Sequence, residues 1–376
     1  MKYYIIAGEA SGDLHGANLI KEIRVLDRQA DIRVWGGELM QQQGATLVKH
    51  YRDLAFMGFV EVLMNLLTIL TNFRFCKRDI LEFQPNVVIL IDYPGFNLRM
   101  AKFAHAHHFK VVYYISPQVW AWKKGRVKTI RKVVDKMMVI LPFEKDFYKK
   151  SLMEVDFVGH PLLDAIESVP VHPDFRKINH LDNRPIVALL PGSRLQEIGN
   201  MLTLMLKTAV QFPDIQFVVA AAPSVEPKVY QQMMGAENVK VVYDQTYALL
   251  QQASAALVTS GTATLETALF GIPQVVCYKG NRISYAIARR IVDIRFISLV
   301  NLIMDKEVVK ELIQNDLTVG NMIAALKEIL SDSAKRQEIL SDYRLLKEKL
   351  GGTGASQRAA RIIVKEVIET ASKVHK

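Results

Sequence analysis

The chain has 376 residues, half of them hydrophobic, and carries a formal net charge of +10. That length fits two domains, each able to bury a core, and the charge calls for acidic partners: nucleic acid, an anionic membrane or phosphorylated small molecules. The two cysteines, Cys76 and Cys277, lie far apart in apolar segments; their spacing excludes a disulfide framework and a cysteine metal site, and it fits a reducing cytosolic setting.

In chain order, apolar strand runs alternate with amphipathic helices, the signature of βα units on parallel sheets. The first strand, Tyr3 to Ala7, begins at once, with too short an apolar run and no small-residue cleavage site for a signal peptide. Gly8, Gly12 and Gly16 follow it, but their spacing is not G-x-G-x-x-G, so no nicotinamide or flavin cofactor is expected. Glu9 projects from the carboxyl end of that strand, where open α/β sheets place ligands.

A strand over Ile32 to Trp35 is followed by the unusual segment Phe56 to Phe75. As a helix it gathers Glu61, Asn65, Thr68 and Asn72 on one narrow stripe and leaves the rest apolar, including Phe56, Met57, Phe59, Val60, Leu63, Leu66, Leu67 and Leu70. The polar stripe argues against a span, which needs ~20 mostly apolar residues. Two roles stay open: burial at a domain or dimer interface, or shallow insertion into a bilayer helped by Arg74, Lys77 and Arg78.

The strand Val87 to Ile91 ends on Asp92, a second strand-end carboxylate able to take a proton from an incoming hydroxyl. His105, His107 and His108 end a surface helix without partners at metal-ligand spacing. After the strand Val111 to Ile115, Gln118 to Trp122 (QVWAW) offers tryptophans for stacking on a sugar or for packing. The basic run from Lys123 to Lys136 suits a solvated helix face or an anionic partner. Strands over Met137 to Leu141 and Val155 to Val158 close this half, and the polar, proline-containing stretch Ser168 to Arg184 reads as interdomain.

The second half restarts with the strand Pro185 to Leu190, which turns through Pro191-Gly192-Ser193-Arg194 into a helix. Unpaired N–H groups of such a turn, the helix dipole and a guanidinium make a phosphate or diphosphate site. After strands Ile215 to Ala220 and Val239 to Tyr243, a second turn of this kind, Ser260-Gly261-Thr262, follows the strand Ala255 to Thr259. Glu266 stands one helical turn on. Together they suit a nucleotide: backbone for the diphosphate, carboxylate for ribose hydroxyls. After the strand Gln274 to Tyr278, the chain from Asn321 is helical and charged, with a Gly351-Gly352-Thr353-Gly354 break before the last helix.

These pieces together resemble bacterial lipid-A-disaccharide synthases. The resemblance rests on AGEASGD (Ala7 to Asp13), MGFVEVL (Met57 to Leu63), IDYPGFN (Ile91 to Asn97), SPQVWAW (Ser116 to Trp122), LPFEKDFY (Leu141 to Tyr148), VGHPLLDA (Val158 to Ala165), LLPGSRLQEI (Leu189 to Ile198), SGTATLE (Ser260 to Glu266) and SLVNLI (Ser298 to Ile303), in order along almost the whole chain. Gly95 stands where many members carry a second Asp, which leaves Asp92 as the candidate base. The resemblance implies an α/β GT-B fold: two Rossmann-like domains with parallel sheets facing across a cleft, over residues 1–170 and 171–345, and a helix over 346–376 returning to the first domain.

The reaction it implies is attack by the 6-hydroxyl of 2,3-diacylglucosamine 1-phosphate on UDP-2,3-diacylglucosamine, with inversion and release of UDP. Asp92 is then the expected base, with Glu9 a second candidate or an orienting group. Gly192, Ser193, Arg194, Ser260, Gly261, Thr262, Glu266 and, from the family, Asn301 are expected to hold the donor without a metal or other cofactor. The apolar segment and basic surface are expected to dock the enzyme peripherally on the anionic cytoplasmic face of the inner membrane.

No nucleic-acid partner is expected, because no nucleic-acid-binding pattern is present. Monomer and homodimer both stay open. A related UDP-N-acetylglucosamine enzyme, either a soluble-acceptor transferase or a 2-epimerase, and a non-catalytic membrane scaffold are the competing readings.

Overall fold

The computed structural model describes residues 1–54, 66–122, 125–234, 239–280 and 295–374. The chain forms two compact units, Met1–Ala165 with Leu350–Lys376, and Ile166–Lys349.

The first unit is built on a seven-stranded parallel sheet. Its strands are β1 (Lys2–Ala7), β2 (Asp31–Gly36), β3 (Thr46–His50), β4 (Val87–Ile91), β5 (Lys110–Tyr114), β6 (Lys136–Val139) and β7 (Asp156–Phe157), in the order β3-β2-β1-β4-β5-β6-β7. Strands β1, β4 and β5 are buried almost end to end, as expected for a sheet covered on both faces. The order reverses direction between β1 and β4, whose register pairs Ala7 with Ile91. The loops leaving these two neighbours therefore emerge side by side, at the crevice where doubly wound sheets bind ligands.

Two helices of this unit are seated by polar contacts. The helix Leu66–Phe83 is seated by a buried polar chain in which Trp35 donates to the Tyr4 hydroxyl (2.8 Å), Tyr4 donates to Asp79 (2.7 Å) and Arg33 pairs with Asp79 at 2.6 Å. The C-terminal helix Ala355–Val374 packs on the helix Ala10–Leu26. Its start is held by Asp164, which accepts from the backbone N–H of Gly354 (2.5 Å) and of Ser356 (3.0 Å).

The second unit carries a six-stranded parallel sheet of β8 (Ile186–Leu190), β9 (Gln216–Ala221), β10 (Val239–Tyr243), β11 (Ala255–Thr259), β12 (Gln274–Tyr278) and β13 (Lys310–Ile313), in the order β10-β9-β8-β11-β12-β13. Here the reversal falls between β8 and β11, paired as Leu190 with Val258. The stretch Ser168 to Arg184, expected to be interdomain, is instead folded into this unit. Phe175 is in its core, and Arg176 donates to the Asp182 and Arg184 carbonyls.

Candidate active site

Glu9 and Asp92 leave the two strands that flank the first reversal point. Glu9 is the extended N-cap residue of the helix Ala10–Leu26, so its charge lies at the positive end of that helix. Asp92 and Tyr93 are both left-handed, with φ of 44° and 48°, and the β-branched Ile115 after β5 has φ of 65°. Each such residue costs about 1–3 kcal/mol and persists only where its surroundings fix it. Here they do. Asn97, fully buried, donates to the carbonyls of Asp92 (2.8 Å) and Ile91 (3.1 Å), and the Tyr113 hydroxyl donates to the Asp92 carbonyl at 2.6 Å.

Burial pushes the Asp92 carboxyl up to about 7. The negative charge of Glu9 adds to the rise, and a hydrogen bond from the Tyr93 backbone N–H opposes it. A carboxyl so tuned is a base matched to neutral pH.

The first loop leaves no room for a side chain at Gly8. A Cβ at Gly8 would lie 2.3–2.6 Å from ring atoms of Tyr93, so the ring crosses directly over the backbone there. The Tyr93 hydroxyl donates to the Leu54 carbonyl at 3.0 Å, which fixes the ring. Asp13, an acid that the sequence gives no way to separate from a site residue, is buried. It accepts from the backbone N–H of Gly37, Leu39 and Met40 at 2.7, 3.1 and 3.1 Å, so it caps the short helix Glu38–Gln42.

At the end of β5, Trp120 is buried edge-on against Phe143 with ring centroids 4.9 Å apart, so of the two roles open to QVWAW Trp120 takes packing, while the side chain of Trp122 lies outside the description. Glu144 lies beneath this loop. Its carboxyl accepts from the backbone N–H of Leu141 (3.0 Å) and Ile140 (3.3 Å), and burial pushes it up to about 7. Its position in LPFEKDFY, three residues after the N-cap Leu141, was the available signal.

In the second unit, Gly192 to Arg194 leave β8 and Ser260 to Thr262 leave its neighbour β11. Gly192 is left-handed (φ 108°), and a Cβ there would lie 2.8 Å from the Glu197 carboxylate and 3.5 Å from Thr259. Glu197, a motif residue with no task legible from the sequence, accepts from the Ser193 backbone N–H (3.4 Å) and pairs with Arg194 (3.3 Å). An internal carboxylate thus sits on Ser193 and Arg194, two of the residues expected to hold the donor. Ser193 and Arg194 are exposed at the start of the 15-residue helix Leu195–Ala209.

Gly261 and Thr262 are exposed at the start of the helix Thr262–Leu269, where a Cβ on Gly261 would meet open space. The Ser260 hydroxyl donates to the Ile297 carbonyl at 3.0 Å. Glu266 is half-buried, burial raises its pKa, and it accepts from the Tyr247 hydroxyl at 2.6 Å.

Asn301 is fully buried, and its amide is spent internally. The Nδ2 group donates to the Val309 carbonyl and to Glu311, both at 2.9 Å, and Oδ1 accepts from Val308 and Val309. Glu311 also accepts from the backbone N–H of Ile297 (3.0 Å) and Ser298 (2.9 Å). Asn301 therefore pins the 297–311 segment, which in turn holds Ser260.

Of the apolar candidates, Phe56, Met57, Phe59, Val60 and Leu63 lie outside the described residues. Leu66 and Leu67 begin the helix Leu66–Phe83, but their side chains lie outside the description. Leu70 is 41% exposed while Asn72, from the expected polar stripe, is 8% exposed. The helix thus turns an apolar residue outward, beside exposed Arg74, Lys77 and Arg78, and a polar one inward. No helix among the described residues is long and apolar enough to cross a membrane.

Comparison with known proteins separates the readings that geometry leaves open. Solved structures of similar fold include the UDP-GlcNAc 2-epimerase from Neisseria meningitidis bound to UDP-GlcNAc (TM-score 0.63, 15% identity, covering 98% of this chain and 100% of that one). Another is the glycotransferase of kitacinnamycin (TM-score 0.65, 14% identity, 97% and 99% covered). At such identities they establish the two-domain α/β architecture alone.

Sequence relatives are far nearer. The lipid-A-disaccharide synthase of Geobacter sulfurreducens is 39% identical over 96% of both chains, and that of Syntrophus aciditrophicus is 41% identical over 95% of both. The profile of the lipid-A-disaccharide synthetase family matches residues 3–366. With the match running through both reversal-point sites, the chain belongs to the lipid-A-disaccharide synthetase family.

Proposed function

We propose that this chain is an inverting, metal-independent glycosyltransferase that moves 2,3-diacylglucosamine from UDP-2,3-diacylglucosamine to the 6-hydroxyl of 2,3-diacylglucosamine 1-phosphate. The products are the β-1,6 disaccharide phosphate of lipid A synthesis and UDP. The observation that carries this reading is the family match over residues 3–366, in a chain whose first sheet has Asp92 at its reversal point with its backbone held by Asn97 and Tyr113.

In the reaction, the acceptor oxygen attacks the anomeric carbon while its proton passes to Asp92. The bond from that carbon to UDP breaks, and the electron pair leaves on the diphosphate. Arg194 and the N–H groups of the Gly192–Arg194 and Ser260–Thr262 turns stabilise that departing charge. Glu197 must exchange its hold on Ser193 and Arg194 for the diphosphate as the donor binds. Glu9 keeps the proton affinity of Asp92 high through its charge.

Acylated substrates lie in a membrane. The outward Leu70, the apolar segment preceding it and the cations Arg74, Lys77 and Arg78 suit docking on the anionic cytoplasmic leaflet. The competing 2-epimerase reading gains only a fold from its structural likeness, and the scaffold reading leaves the raised Asp92 without a task.

The test is UDP release from the acylated donor and acceptor in detergent micelles, with EDTA present and non-acylated UDP-N-acetylglucosamine as control. Turnover of the acylated pair alone is the expected result. Turnover of the simple donor alone removes the lipid substrate, and loss of turnover with EDTA removes metal independence.

A further inference from the structure

We propose that Tyr247 is a positioning residue of the nucleotide site: its hydroxyl holds Oε1 of Glu266 so that Oε2 faces the ribose hydroxyls of UDP. This rests on the reading of Glu266 as the ribose acceptor. Tyr247 lies on the helix Thr246–Gln252 that follows β10, and this helix packs back over β9 and β8 toward the helix carrying Glu266. Its hydroxyl donates to Glu266 Oε1 at 2.6 Å, a distance typical of a charge-assisted O–H···O⁻ bond. Its ring packs on Phe270, one turn beyond Glu266, with centroids 5.2 Å apart.

A carboxylate has about four acceptor positions, and among the described residues Tyr247 is the one donor to Glu266. Burial opposes its ionisation. Two adjacent ribose hydroxyls are the donors that such a group lacks, on the helix whose N-terminal turn is exposed for the phosphates. Packing alone needs the ring of Tyr247, not its oxygen. The hydroxyl is therefore the atom to test.

The experiment compares binding of UDP and 2′-deoxy-UDP by calorimetry to the full chain and its Tyr247→Phe and Glu266→Ala variants. Melting curves check that each is folded. Phe keeps the ring on Phe270 and removes only the donor.

Tyr247→Phe is expected to weaken UDP roughly tenfold, the order of a hydrogen bond to a charged group. It should also shrink the preference for UDP over 2′-deoxy-UDP, and UDP binding should begin to fail at higher pH, because Glu266 loses the donor that favours its ionised form. If Glu266→Ala abolishes that preference but Tyr247→Phe leaves affinity, preference and pH profile unchanged, the role of Tyr247 is refuted and Glu266 stands. If Glu266→Ala keeps the preference, both fall.

Discussion

Asp92→Asn separates catalysis from folding, because one carboxyl is expected to control both with opposite sign. Its pKa rises from 3.8 to about 7 in the folded chain. A rise of about 3 units corresponds to about 4 kcal/mol, an upper value because the residue is half-buried and water screens it. The folded state holds this proton more tightly than the unfolded one. Below pH 3.8 both states are protonated, and no penalty applies. As pH climbs from there through about 7 the unfolded chain releases its proton first, so this contribution to stability is lost.

Asparagine cannot ionise and escapes the loss. The variant should match the parent at about pH 4 and exceed it at about pH 8, by several degrees at ~2–4 °C per kcal/mol. Glu144 titrates in the same window but is unchanged between the two proteins, so it cancels. Turnover should move the other way, falling ~10²–10⁴-fold with UDP binding retained.

In the parent, log kcat/KM should rise with unit slope up to about pH 7 and then level. Glu9→Gln should move that limb down only part of the way toward the ordinary carboxylate range, since burial is the larger cause of the rise and the charge of Glu9 the smaller. UDP release and thermal melts across this pH range check all four. Wild-type turnover by Asp92→Asn, or an acid limb near 4, would refute the assignment of Asp92 as base.

Four further substitutions, at three positions, probe the surroundings. Gly8→Ala drives a methyl into the Tyr93 ring; it should cost about 1–3 kcal/mol in denaturant unfolding and, by shifting Tyr93 beside Asp92, displace the pH limb as well. Glu144→Gln should cost under about 1 kcal/mol, because an amide oxygen still accepts from Ile140 and Leu141. Glu144→Ala strands those N–H groups and should cost about 1–3 kcal/mol in the same assay. Leu70→Glu places a charge on the outward face of the helix Leu66–Phe83 and should weaken sedimentation with anionic vesicles roughly tenfold, while turnover in detergent stays near the parent value.

What the sequence revealed and what it hid follow from where each residue sits in a sheet. Central strands such as Val87–Ile91 and Ala255–Thr259 are buried on both faces, so their apolar runs are unmistakable. The two strands that the periodicity misses, Thr46–His50 and Lys310–Ile313, are both sheet edges, and their half-exposed, partly charged residues leave no run to detect. Composition also misled at Ser168 to Arg184. Prolines and polar residues there resemble a linker, but Arg176 and Gln216 tie its carbonyls down around the buried Phe175.

Strand ends carrying Glu9, Asp92, Gly192 and Ser260 were legible as ends, because loop chemistry is local. Strand order is not local, and it is what turns four ends into two sites. The strand order reverses direction once in each sheet, between β1 and β4 in the first and between β8 and β11 in the second, and the candidate residues lie at both reversals. Asn301 marks the boundary of what a motif conveys. Its place in SLVNLI gives only a position to watch, whereas its buried amide, bonded to Val308, Val309 and Glu311, says that it holds the segment supporting Ser260. Tyr247 is the converse case: a single tyrosine outside every motif gains meaning only through the 2.6 Å bond it makes to a carboxylate on another helix.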